Sequence, residues 1–221
     1  MKYIVTGAAG VLGQAVVRAI VAGGGTVAAI DRVAGGDISP AVHPIACTDL
    51  ADPADAAAAV RAGVAALGGV DALVHVAGAF EWVPVEQSTR DLWRALYRSN
   101  VETAVAVAQA CLPHLGDGAS MAFVSAASAQ PADAGMAAYA AAKSGVARLV
   151  EALSAELKSR GIRVNALLPA IIDTPRNRAD MPDADFASWT SPAAAADALL
   201  FLSSDAARAI NGALIPATNN R

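Results

Sequence analysis

The feature that most constrains the fold is at the start of the chain, where a strand, a glycine turn and a helix follow one another without a gap. Lys2-Tyr3-Ile4-Val5 is a short apolar run with strand character. It leads into Thr6-Gly7-Ala8-Ala9-Gly10-Val11-Leu12-Gly13 and then a helical run from Gln14 to Val21. Glycines let a backbone approach a diphosphate closely, and the free N–H groups of the first helical turn point at it. A glycine triplet alone is weak evidence; between a strand and a helix it stands in the required context. A second strand, Thr26-Val27-Ala28-Ala29-Ile30, ends in Asp31. An acid in that position suits the ribose diol of a dinucleotide.

The rest of the chain continues the alternation. Strands are expected near 2–6, 26–31, 43–48, 71–76, 119–125, 162–168 and 212–216. Helices are expected near 11–22, 52–67, 88–114, 136–159 and 192–204, with Asp52-Pro53 marking the start of the second. Strict alternation predicts an α/β fold of Rossmann type: one doubly wound parallel sheet of about seven strands with helices on both faces. The ligand crevice then lies at the carboxyl ends of the strands. Gly7, Asp31, Asp49, Gly78, Ser125 and Thr174 all follow expected strands and gather on that edge. With 221 residues, the chain is read as a single NAD(P)-binding domain spanning 1–221.

Tyr139-Ala-Ala-Ala-Lys143 carries the chemistry. Four residues make about one helical turn, so the phenol and the ammonium share a helix face. A phenol with a pKa of about 10 is a poor acid or base at neutral pH. A positive charge nearby is expected to lower that value toward working pH.

Together these motifs identify the chain as similar to the short-chain dehydrogenase/reductase family along essentially its whole length. The resemblance rests on the glycine turn, Asp49, His75-Val76-Ala77-Gly78, Asn100, Ser125, and Tyr139 with Lys143. It ends with Asn165-Ala166-Leu167-Leu168-Pro169-Ala170 and Thr174-Pro175. Three departures stand out. The glycines are spaced G-x-x-G-x-x-G, His75-Val76 replaces a pair of asparagines, and Pro169-Ala170 replaces Pro-Gly.

The resemblance implies an NAD(P)-dependent oxidoreductase that moves a hydride between nicotinamide and a small carbonyl or alcohol. Tyr139 would be the general acid/base and Lys143 would bind the nicotinamide ribose. Asn100 would complete a proton relay through water, and Ser125 would hold the substrate oxygen. Counted forward from Gly118, Ser125 falls at the family serine. Counted back from Tyr139, it lies one place too far, and Ala126 takes the usual spacing. Ser128 is the alternative. The cofactor is expected to contact Gly7, Gly10, Val11, Leu12, Gly13, Asp31, Arg32, Asp49, Leu50, Ala77, Gly78, Tyr139, Lys143, Pro169, Ile172 and Thr174. A carboxylate at Asp31 repels a 2′-phosphate, so NAD is favoured over NADP.

The segment of about 173–191 reads as a substrate lid, because Met181, Phe186 and Trp189 are poorly explained as plain linker. Its Thr-Pro, Met-Pro and Ser-Trp-Thr run is similar to that of quinonoid dihydropteridine reductases, which use NADH and do not depend on the family serine. A compact carbonyl, alcohol or quinonoid substrate is therefore expected. A catalytically silent dinucleotide-binding regulator is the alternative from another class. The family resemblance implies a homodimer or homotetramer.

Composition narrows the remaining classes. A net charge of −4 without a basic block offers no nucleic-acid footprint. No apolar run of about 18 residues suggests a membrane span. The first strand begins at residue 2, so no signal peptide is expected and a cytoplasmic location is inferred. Cys47 and Cys111 have no metal or disulfide spacing and read as inert buried thiols, and no metal is expected. None of the three histidines is assigned a catalytic role.

Overall fold

The computed structural model describes residues 1–33 and 39–218. Seven parallel strands form one sheet: β1 (Lys2–Thr6), β2 (Thr26–Asp31), β3 (Val42–Ala46), β4 (Val70–His75), β5 (Leu115–Val124), β6 (Arg163–Pro169) and β7 (Leu214–Ala217). Their order is β3-β2-β1-β4-β5-β6-β7. The chain winds outward from β1 to β3, then returns to place β4 against the other side of β1. That reversal is a topological switch point, where the crevice of a doubly wound sheet opens. Thr6 pairs with His75 there, and the Val76 amide donates to the Thr6 carbonyl at 3.1 Å.

Each face of the sheet is covered because its strands are apolar on both sides. Helices α1 (Val11–Ala22) and α7 (Pro192–Ser203) close one face over Val5, Val27, Ala29, Val74 and Ala122. Helices α2 (Pro53–Leu67), α4 (Thr103–Cys111) and α5 (Ala137–Glu156) close the other over Ile4, Ala28, Ile30, Leu73 and Phe123. Helix α3 (Arg90–Tyr97) precedes α4, and α6 (Pro175–Asp180) lies between β6 and α7.

Local chemistry sets the helix ends. Asp52 accepts from the amides of Ala54 and Asp55, Pro53 occupies the first turn, and Gly68 ends α2 in the left-handed region. Thr174-Pro175 and Ser191-Pro192 cap α6 and α7 in the same way. The expected helix over 88–114 is two helices, joined by a π-helical segment from Arg98 to Glu102. Asn100 lies inside that segment, and its side chain bonds both the Leu96 carbonyl four residues back and the loop after β4. The fifth strand starts at Leu115, four residues before the expected start, and its register with β4 shifts between Val70 and Ala72.

Candidate active site

The glycine turn is shaped for an anion. Gly7 adopts φ +71, and a Cβ there would lie 2.7 Å from the Ala77 amide nitrogen. Only glycine takes that conformation cheaply against another backbone. A Cβ on Gly13 would meet the Gly7 carbonyl oxygen at 2.0 Å. Gly10 is the N-cap of α1 and supplies no side-chain cap, so the first-turn amides are left for a ligand. No acidic residue opposes an anion in that turn. The Asp31 carboxylate accepts from the Ala9 amide at 2.9 Å and from the Arg32 amide at 2.7 Å. It is thereby fixed at the mouth of the turn. These features fit a dinucleotide: a cradle that side chains would fill, uncapped amides for the diphosphate, and a fixed carboxylate for a diol.

Asp49 and Leu50 lie in the loop after β3. Asp49 accepts from the Ala51 amide at 3.0 Å and is bonded to Arg98, which also pairs with Glu102 at 3.2 Å. Those contacts hold the Asp49 carboxyl below its usual range, the Ala51 amide first. Arg98, in the π segment, was no candidate in the sequence.

Two side chains meet at Gly78. A Cβ on Gly78 would lie 2.6 Å from Asn100 Oδ1 and 3.1 Å from Lys143 Nζ. Asn100 donates to the carbonyls of Leu96 (2.8 Å) and Ala79 (3.0 Å), and accepts from the Ala79 amide at 3.3 Å. Its side chain therefore ties the loop after β4 to the π segment. Lys143 is buried and donates to the Val124 carbonyl at 3.0 Å. No carboxylate among the described residues pairs with it, and burial lowers its pKa to about 8.

Tyr139 sits one turn before Lys143, with the Lys143 ammonium 5.9 Å from the ring centroid. Phe80 meets its ring edge-on at 4.9 Å. The expected lowering of the phenol pKa is absent here. Burial instead pushes it up to about 12. Desolvation of the phenolate exceeds the pull of an ammonium that lies beside the ring.

Ser125 is engaged within the fold. Its residue is 1% exposed, and its hydroxyl donates to the Lys143 carbonyl at 2.8 Å. A hydroxyl has one proton, and this one is spent inside the fold. Ser125 therefore joins β5 to α5, and buried Ala126 follows it at the spacing the family serine would take. Ser128 lies in a short 3₁₀ turn, Ala127–Ala129, and is partly exposed.

Pro169, the last residue of β6, is buried, and Ile172 and Thr174 lie at the stem of the segment that leads to α7. The Ile172–Thr190 bridge closes that stem, and Thr190 also donates to the Ala217 carbonyl at 3.0 Å. Trp189 is 6% exposed at its base, against Phe186 at 4.8 Å. Arg178 grips Asp173 with two bonds of 2.6 and 2.7 Å and covers the Phe186 ring at 4.6 Å. Arg176 reaches Glu81, in the loop after β4, at 3.7 Å. Phe80 and Glu81 were missed in the sequence, and Arg176 was read only as part of the 173–191 segment. The clue was that Phe80 and Glu81 closely follow the Val76-Ala77-Gly78 turn.

Fold and site together define a class, the nicotinamide-dependent oxidoreductases of doubly wound sheet. Residues 2–185 match the family model described as short chain dehydrogenase, and the chain belongs to that family. It is 33% identical to D-threitol dehydrogenase of Mycolicibacterium smegmatis, over 95% of this chain and 88% of the relative. It is 31% identical to cis-4-hydroxycyclohexanecarboxylate dehydrogenase of Sinomonas cyclohexanicum, over 96% of this chain and 92% of that one. Among solved structures it is similar to a 3-ketoacyl-(acyl-carrier-protein) reductase from Brucella melitensis complexed with NADH. That match has a TM-score of 0.88 at 26% identity and covers 100% of this chain and 97% of the other. No helix among the described residues is long and apolar enough to cross a membrane.

Proposed function

We propose that the protein is an NAD-dependent oxidoreductase acting on a compact, cyclic or quinonoid substrate, with Tyr139 as its general acid/base. The observation that carries this reading is the convergence of Asn100 and Lys143 on Gly78, with Tyr139 one helical turn away. When bound, the nicotinamide supplies or accepts the hydride. Tyr139 gives the matching proton to the substrate oxygen, or removes it in the reverse direction. Lys143 holds the nicotinamide ribose, and Asn100 keeps the loop after β4 in place beneath it.

The preference for NAD rests on Asp31. Its carboxylate is fixed by two backbone amides and retains lone pairs for two ribose hydroxyls. A 2′-phosphate would meet that fixed charge at close range.

The substrate class rests on what Ser125 cannot do. With its proton committed to Lys143, the substrate oxygen has Tyr139 as its donor from this group of residues. Such a site favours substrates that spread developing negative charge through a ring. Phe80, edge-on to Tyr139, supplies a flat apolar wall for one. The segment 173–191 acts as the lid, and its exposed Arg176, which also pairs with Asp180, reaches Glu81 in the loop after β4. The two dehydrogenase relatives act on a polyol and on a cyclic hydroxy acid by their names, which supports a compact substrate.

The test is NADH and NADPH oxidation against four compounds. These are a ketotetrose, 4-oxocyclohexanecarboxylate, a quinonoid dihydropterin and a long-chain 3-oxoacyl thioester. Turnover with NADH on one of the first three is expected. No oxidation above the blank with any of these three, or preference for the acyl thioester, would overturn the reading.

A further inference from the structure

His75 is buried at the carboxyl end of β4, at the switch point, and the chemistry proposed above does not use it. Its Nδ1 lies 2.8 Å from Thr6 Oγ1, and its Nε2 lies 3.5 Å from Thr103 Oγ1. The two threonines belong to different halves of the site. Thr6 immediately precedes Gly7 of the glycine turn. Thr103 follows the π segment and donates to the Ser99 carbonyl at 2.8 Å, with the Asn100 carbonyl at 3.4 Å.

Hydrogen-bond counting fixes the direction of this chain. Thr103 has one proton, and the shorter contact takes it to Ser99. Its lone pair then faces His75, so Nε2 must carry the ring proton. Nδ1 is left as the acceptor for the Thr6 hydroxyl. That arrangement leaves the Thr103 proton on its shorter contact, and no buried side-chain nitrogen or oxygen among the described residues lacks a partner. Around the ring stand Thr6 from β1, Thr103 from α4, Phe123 from β5 at 5.6 Å and the charged Lys143 from α5. Burial first, and the Lys143 charge second, lower the pKa of the imidazole to about 3. A neutral ring follows at working pH.

We infer that His75 is a positioning residue, a single-tautomer imidazole that braces the glycine turn against the π turn carrying Asn100. The inference rests on the oxidoreductase reading above, because the turns it braces are the cofactor cradle and the proton-handling turn. The Thr6–His75 bond sets one end. The Thr103–Ser99 bond sets the other, one residue from Asn100. Displacement of the π turn would move Asn100, and with it the Gly78–Ala79 backbone that faces Lys143.

Two measurements test the inference. Long-range ¹H–¹⁵N NMR of the full chain, with His75→Asn used to assign the signal, reads the tautomer without catalysis. An Nε2–H ring that stays neutral from about pH 5 to about pH 8, below and above the ordinary imidazole pKa, is expected. The second measurement is kinetic and uses Thr103→Val and Thr103→Ser on the panel compound with the highest turnover. Thr103→Val should lower kcat about tenfold with NADH affinity within about twofold of the parent, and Thr103→Ser should restore kcat, since small misplacements of catalytic groups cost up to about 10²-fold. An Nδ1–H or cationic ring, or a Thr103→Val variant with parental kcat, overturns the positioning role alone. A parent protein without turnover on the whole panel sinks the oxidoreductase reading and this role together.

Discussion

Lys143→Met tests whether the site holds an ammonium against its hydration. Methionine keeps an unbranched stem and removes the charge. Burial sets Lys143 at about 8, against 10.5 for the free side chain. Between those values the unfolded chain binds a proton that the folded chain has lost. Stability from this group therefore rises with pH across the window, and is lost as pH falls through the folded value. Each pKa unit is worth about 1.4 kcal/mol, so the penalty near neutrality is about 3 kcal/mol. By about pH 9.5 it has fallen to about 1.5 kcal/mol. The parent should thus gain about 2 kcal/mol relative to Lys143→Met between about pH 7 and about pH 9.5. In a domain of this size that is a relative shift in Tm of about 4–8 °C. The window stops short of 10, the ordinary value for a tyrosine. Above it the Tyr139 phenol, held up to about 12, adds a slope of opposite sign. Loss of the bond to the Val124 carbonyl offsets the variant's curve without tilting it. Urea unfolding followed by tryptophan fluorescence across the pH series measures the difference. Parallel curves for the two proteins would refute the desolvated ammonium.

Other perturbations separate the remaining roles. Tyr139→Phe keeps the ring against Phe80 and removes the proton, so turnover should fall about 10²–10⁴-fold while NADH affinity, read by fluorescence titration, stays close to the parent value. The parent should bind NADH at least about tenfold tighter than NADPH, which is about 1.4 kcal/mol, and Asp31→Ala should narrow that gap in the same titration. Ser125→Ala should leave kcat near the parent value and cost about 1 kcal/mol of stability, the usual worth of one buried hydrogen bond. A collapse of kcat in that variant would restore Ser125 to the chemistry.

The readings that came through from sequence alone were those with local causes. The glycine turn, the cap at Asp52-Pro53 and the alternation of strand and helix depend on neighbours in the chain. The π segment at Arg98–Glu102 was overlooked in the sequence, although the apolar step from Leu96 to Val101 is five residues; the bond that ties Asn100 to Ala79 across the fold is not legible there. Ser125 was ambiguous by counting. What resolves its hydroxyl is the carbonyl of Lys143, eighteen residues away. The phenol was expected to be lowered by its lysine, since i, i+4 spacing is legible and desolvation is not. His75 looked like a substituted asparagine; the two threonines that fix its tautomer lie 69 and 28 residues away in the chain.

The stem of the segment between β6 and α7 has a consequence for how this scaffold diversifies. Residues 172 and 190 are bridged, with the Thr190 amide bonded to the Ile171 carbonyl and the Asp173 amide to the Thr190 carbonyl, both at 2.9 Å. The chain thus leaves β6 and enters α7 at one point, like the neck of a bag. Whatever lies between 173 and 189 can grow, shrink or be exchanged as a cassette without moving β6 or α7. Doubling its length adds only about 0.6 kcal/mol of closure entropy. On the lid reading proposed above, the insert beyond Thr174 is then free to vary with the substrate while the glycine turn and Lys143 stay as they are.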